Sequence, residues 1–140
     1  LIPGSHRGPT FDHHQDGRFI GAMDPENCAI DFGTAESVTG KAGDCSFHHV
    51  RAVHGSGENT SGKDRRLLLF QIAAADAWDI RGNRDGTWDD YVATMIAGKV
   101  SVEPRLVPTP IRLPYPGPLK SGSIYESQSL VKNKYFGNKQ

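Results

Sequence analysis

The sequence predicts a mainly β fold with one short helix and a proline-rich C-terminal arm. Three observations carry that expectation. The runs FIGAM (19–23), CSFHHVRAVH (45–54) and the start of RRLLLFQIAAADAW (65–78) have the length and content of strands and are bounded by turn residues. Over 87–98, Trp88, Tyr91, Val92, Met95 and Ile96 recur at helical spacing. Six of the nine prolines fall between Pro104 and Pro118.

In chain order, residues 3–18 (PGSHRGPTFDHHQDGR) carry glycine, proline, histidine and aspartate with no sustained period, which is loop composition. FIGAM follows, then about twenty turn-rich residues. KAGD (41–44) is a turn signal ahead of the 45–54 strand. RRLLLFQ opens as a buried strand, although the alanines after it suit a helix equally well. Thr87 is the expected N-cap of the helix and Gly98 its stop, with the apolar stripe covering a sheet. The proline arm cannot join a central strand, so it is expected to run extended over the surface. IYESQSLVKNKYF (124–136) is expected to fold back on the body. These boundaries give a core over 1–103 and an arm and tail over 104–140.

Composition narrows the class. Sixteen basic and sixteen acidic side chains cancel and are interspersed, so neither a nucleic-acid stripe nor a charged tail is expected. LLLFQIAAADAW is interrupted by Gln71 and Asp76 and falls short of the ~18 apolar residues of a membrane span. Two cysteines, Cys28 and Cys45, are too few for a disulfide framework and read as reduced thiols of a cytoplasmic protein. The chain opens on LIPGSH, which reads like a strand end entering a turn; the expectation is a fold incomplete at its N-terminus.

The stretch HGSGENTSGKDRR (54–66) places an imidazole and two guanidiniums at the ends of one polar loop. On a strand, His54, Ala52, Val50, His48 and Ser46 share one face, read as inward. On the following run Arg65, Leu67, Leu69 and Gln71 share a face, also read as inward. An inward arginine needs an anion. That anion is either an internal acid such as Asp44 or Asp76, or a ligand carboxylate matched to the guanidinium fork. His48 and His54 would stand roughly 20 Å apart on an extended strand, too far to share one metal ion.

PGSHRG (3–8), AGDCSFHHVRAVHGSGENTSGKDRR (42–66) and the following LLLFQ resemble the C-terminal half of phytanoyl-CoA dioxygenase family proteins. The likeness extends to the PRL…P…RLPYP arm and to SIYESQS, and HGSGxNxSxxxRR is its most specific part. The resemblance implies a double-stranded β-helix (jelly roll, cupin-like) and an oxidoreductase using Fe(II), 2-oxoglutarate and O₂. On that reading the complete enzyme hydroxylates a small organic or acyl substrate as 2-oxoglutarate becomes succinate and CO₂. The resemblance implies that His54 is the distal histidine ligand to iron, that Arg65 pairs with the far carboxylate of 2-oxoglutarate, and that Ser56 helps hold it. It assigns no further catalytic residue. Asn59 and Ser61 are expected to shape the loop.

The family's HxD iron-ligand pair belongs upstream of PGSH. His14-Gln15-Asp16 fits the pattern but follows PGSH, so it is read as a coincidence and the chain is expected to be inactive by itself. Exposed strand edges would then favour self-association. A small-molecule substrate is the expected partner, with neither nucleic acid nor membrane. The alternative reading is a non-catalytic β-helix domain that binds 2-oxoglutarate or a related carboxylate as a sensor or interaction module. A purely structural domain, with Arg65 paired internally, is the third.

Overall fold

The structure is a computed structural model that describes residues 1–80, 86–108, 111–119 and 122–135. It divides into two units, Leu1–Lys63 with Thr109–Gln140, and Asp64–Pro108.

The first unit is organised around a hairpin of β1 (His14–Gln15) and β2 (Arg18–Phe19), which pair antiparallel as His14↔Phe19 and Gln15↔Arg18. Asp16 and Gly17 form its two-residue loop, both left-handed at φ 50° and 77°. An Asp-Gly pair suits that loop because both central residues need positive φ. Stretch 3–18 is therefore not loop throughout. FIGAM contributes only Phe19 to paired strand. Beyond it the backbone N–H groups of Ile20 and Gly21 both donate to the His13 carbonyl. Gly21 has φ 72°, and a Cβ there would run into the Ile124 side chain.

Around the hairpin lie three short 3₁₀ turns, Ser5–Arg7, Pro25–Asn27 and Phe32–Thr34, the last two capped by Asp24 and Asp31. Residues 111–119 of the proline arm run beside β2: Phe19 N–H donates to the Pro116 carbonyl and the Arg18 guanidinium to that of Gly117. The second helix, α2 (Ile124–Gln128), opens with a capping box between Ser123 and Glu126. The segment after it makes contacts within the first unit. Gln128 donates to the Gly21 carbonyl, Lys132 N–H to the Gln15 side chain, and Tyr135 stacks on Phe32 at 4.6 Å. Among the described residues, Ile2, Ile20 and Ala52 are the buried apolar ones. Phe136, the last residue of the 124–136 stretch, lies outside the described residues.

In the second unit α1 spans Trp88–Ala93, shorter than the expected 87–98. Thr87 is its N-cap, and Thr87 and Asp90 close a reciprocal capping box. The stripe does not cover a sheet. Trp88 and Tyr91 gather with Trp78 in an aromatic cluster, and the Tyr91 hydroxyl donates to the Ala75 carbonyl at 3.3 Å. Arg105 grips Asp76 through Nε and Nη2, both at 2.7 Å.

Among the described residues, paired strand is confined to the hairpin. Residues 45–54 and 65–78 are not strands here, because a strand exists only where a neighbour supplies its ladder. Their side chains are accordingly not sorted into two faces. Phe47 is 87% exposed, Val50 85% and Phe70 77%, and His54 and Arg65 are both exposed rather than inward. No helix among the described residues is long and apolar enough to cross a membrane.

Candidate functional site

The KAGD turn forms as its residues suggest. Asp44 N–H donates to the Lys41 carbonyl, the Asp44 carboxylate accepts from Lys41 N–H, and Gly43 takes φ 97°. A second turn then bends the chain where a strand was expected. Ala52 N–H donates to the His49 carbonyl at 2.9 Å, and Arg51 N–H donates to His49 Nδ1 at 3.1 Å. Ala52 is buried at the corner.

PGSH holds the exit of this turn in place. Val53 N–H donates to Ser5 Oγ at 2.8 Å, the Val53 carbonyl accepts from Ile2 N–H at 2.9 Å, and Ser5 Oγ donates to the Ile2 carbonyl at 2.7 Å. Both backbone groups of the residue before His54 are thus fixed from 48 or more positions away. The Arg51 guanidinium also donates to the Gly8 carbonyl, and His6 lies beside His49 at 5.4 Å.

His54 Nδ1 lies 2.8 Å from the Ala52 carbonyl oxygen. A carbonyl only accepts, so Nδ1 carries the hydrogen and the neutral ring presents its lone pair at Nε2. This is how ligand histidines are commonly oriented, with the second nitrogen anchored to a carbonyl. His48 lies against His54, ring centroids 4.7 Å apart, which corrects the separation expected of an extended strand.

Beyond His54 the loop is shaped by the two residues singled out for it. Asn59 Nδ2 donates to the Lys63 carbonyl at 2.6 Å, and Ser61 donates to Asn59 Oδ1 through both N–H and Oγ. Gly62 takes φ 68°. Ser56 is exposed in this loop. Arg65 belongs to the second unit, is exposed, and makes no ion pair with a described residue. The internal acids weighed as its partners are otherwise engaged, Asp76 by Arg105 and Asp44 by the Lys41 backbone.

His54 suits one position of an iron centre by type and orientation, but the described residues contain no cluster of three or more His, Cys, Asp or Glu side chains able to hold a metal ion. His14 and Asp16 of the HxD pattern diverge. His14 Nδ1 meets Asp12 Oδ1 at 2.5 Å, and Asp16 pairs with Lys132 at 2.8 Å.

Comparison with known proteins gives the chain its place. Residues 1–67 match the family model described as Phytanoyl-CoA dioxygenase (PhyH). These residues carry the likeness to the phytanoyl-CoA dioxygenase family. The chain is also 41% identical, over 139 residues, to a Stutzerimonas stutzeri protein described as a probable alpha-ketoglutarate-dependent hypophosphite dioxygenase. That alignment takes in 96% of this chain and 48% of the relative, so the chain spans about half the length of the curated relative it matches. No solved structure matches. The cofactors of this family of 2-oxoglutarate-dependent dioxygenases are Fe(II) and 2-oxoglutarate, with O₂ as oxidant. The matched region takes in PGSH, the turn that orients His54, the loop and Arg65.

Sequence reasoning missed one feature of the first unit. Asp12, His14 and the hairpin border a cavity of about 360 Å³. The Asp-x-His spacing followed by an Asp-Gly turn was its available signal.

Proposed function

We propose that this chain is the C-terminal part of a non-haem Fe(II)- and 2-oxoglutarate-dependent dioxygenase on a double-stranded β-helix, of which it supplies one iron ligand and the co-substrate grip. The observation that carries the reading is the orientation of His54, whose Nδ1–H is anchored to the Ala52 carbonyl so that Nε2 remains for a metal. Arg65 would bind the distal carboxylate of 2-oxoglutarate through its guanidinium fork, helped by the Ser56 hydroxyl, and Arg65 makes no ion pair with an acid among the described residues. Bound iron would supply the oxidising chemistry with O₂, while these residues bind and orient. The remaining ligands would come from polypeptide other than the described residues. Exposed apolar side chains at Leu67, Leu68, Leu69 and Phe70 are suited to being covered by further polypeptide or by a second copy.

The substrate we propose is a small molecule. An organic or acyl compound follows from the family resemblance. Hypophosphite is the second reading, favoured by the likeness to the Stutzerimonas stutzeri relative, whose description names it.

Anaerobic titration with Fe(II) and 2-oxoglutarate tests the reading. The expected result is saturable binding of 2-oxoglutarate that weakens in Arg65→Ala, and a weak visible charge-transfer band once the complete site is present that vanishes in His54→Ala. Binding of 2-oxoglutarate with no iron dependence would favour the sensor module, and an Arg65→Ala variant with unchanged 2-oxoglutarate affinity would refute the assignment.

A further inference from the structure

The turn over 49–52 brings together two imidazoles that an extended chain would keep apart. The rings of His48 and His54 lie 4.7 Å between centroids and are tilted by 55°, so they do not stack flat. Both residues are exposed. His54 carries its hydrogen on Nδ1, anchored to the Ala52 carbonyl at 2.8 Å, and presents the Nε2 lone pair. The His48 ring makes no hydrogen bond with a described residue, so either of its nitrogens can supply a lone pair. The corner that carries the two rings is held in place. Ala52 is buried, and both backbone groups of Val53 are clamped by Ser5 and Ile2.

The ring separation matches a shared metal ion. With metal–nitrogen bonds of about 2.0–2.1 Å and ring centres about 1.1 Å beyond, two imidazoles at about 90–110° on one ion have centres about 4.5–5.2 Å apart. Neighbouring histidines are differently committed. His49 Nδ1 accepts from Arg51 N–H, so its hydrogen sits on Nε2 and it offers a cation no lone pair there. The His14 side chain is only 2% exposed and meets Asp12. Among the described residues no third His, Cys, Asp or Glu joins the pair, so water would complete the coordination. The cation nearest in sequence, Arg51, has its guanidinium drawn to the Gly8 carbonyl. Two neutral imidazoles suit Zn²⁺, Ni²⁺ or Cu²⁺, whereas Mg²⁺ and Ca²⁺ take oxygen ligands.

We propose that His48 and His54 together bind one divalent late transition-metal ion, each through a single ring nitrogen. The inference goes beyond the oxygenase reading, in which His54 alone of the two is an iron ligand, and shares with it only the orientation of His54. An ion held by this pair occupies His54 Nε2 and therefore competes with Fe(II) for it.

The test is a titration of the histidine-¹⁵N-labelled chain with Zn²⁺ alone, following the side-chain nitrogen resonances. Those of His48 and His54 should move together and saturate at one ion per chain, while Mg²⁺ moves neither. His48→Ala should weaken Zn²⁺ binding about tenfold or more, since one imidazole then holds the ion without a chelating partner. Cys45→Ser, which removes an exposed thiol, should leave the affinity unchanged. Movement of His54 without His48, an unchanged Zn²⁺ affinity in His48→Ala, or a loss of binding in Cys45→Ser would each overturn the proposal. Circular dichroism checks the fold of the variants, and the paired movement of the two resonances decides the matter on the unaltered chain. Binding of 2-oxoglutarate, measured on the same samples without zinc, reports on the oxygenase reading separately, so either can fail alone.

Discussion

The imidazole rings of His48 and His54 lie 4.7 Å apart although six positions separate them. An extended strand would hold them roughly 20 Å apart. The turn that closes on the His49 carbonyl and buries Ala52 reverses the chain between them. His54 is then presented by a corner tied to PGSH, rather than by a sheet.

Ser5 is the hinge of that tie. Its hydroxyl accepts from Val53 N–H and donates to the Ile2 carbonyl. Ser5→Ala leaves a part-buried amide unpaired, and we expect a loss of about 1–3 kcal/mol in denaturant unfolding. Faster hydrogen exchange at the Val53 amide should accompany it. An amide still protected to the original degree would show that the clamp is held by Ile2 alone.

The capping box of α1 is expected to set the pH response of the second unit. Backbone and side-chain hydrogen bonds from Thr87 hold the Asp90 carboxyl below the usual aspartate range. A depressed carboxyl stabilises the fold above its unfolded pKa, and that contribution is lost as pH falls through the lower folded value. Thr87→Ala should cost about 1 kcal/mol and flatten this acid dependence. Helix content followed by circular dichroism from pH 7 downward reads both effects.

Asp24 links the cavity wall to the C-terminal segment. Burial acts to raise its pKa, but hydrogen bonds from Asn133, Glu26 N–H and Asn27 together outweigh that and leave it lowered. Asn133→Ala should move the Asp24 titration midpoint upward without restoring it fully, since Asn27 and Glu26 remain. Carboxyl-carbon NMR shifts against pH would show the change, and a midpoint identical to that of the unaltered chain would contradict it.

Arg65 and His54 are expected to fail differently. Arg65→Lys keeps the charge but loses the planar fork, so 2-oxoglutarate affinity should fall about tenfold or more with little change in Fe(II) binding. His54→Ala should reduce Fe(II) binding first. Calorimetric titration of each ligand separates the two, and parallel losses in both variants would place the residues in one role.

Several elements were legible from short spans of sequence: the KAGD turn, the Thr87 cap, and the closing of the loop by Asn59 and Ser61. In each, a side chain of known hydrogen-bonding habit meets backbone within four residues, so local geometry alone decides the outcome. HGSGENTSGKDRR likewise carried, by residue type and spacing, the family likeness that the match over residues 1–67 bears out. The exposure of His54, the contact with His48, the anchoring of Val53 to Ile2 and Ser5, and the burial of His14 were decided by the tertiary structure. They depend on which distant segments meet: residues 45–54 alternate like a strand, yet with no partner ladder they bend, and a side chain's face follows the neighbour that pairs with its backbone.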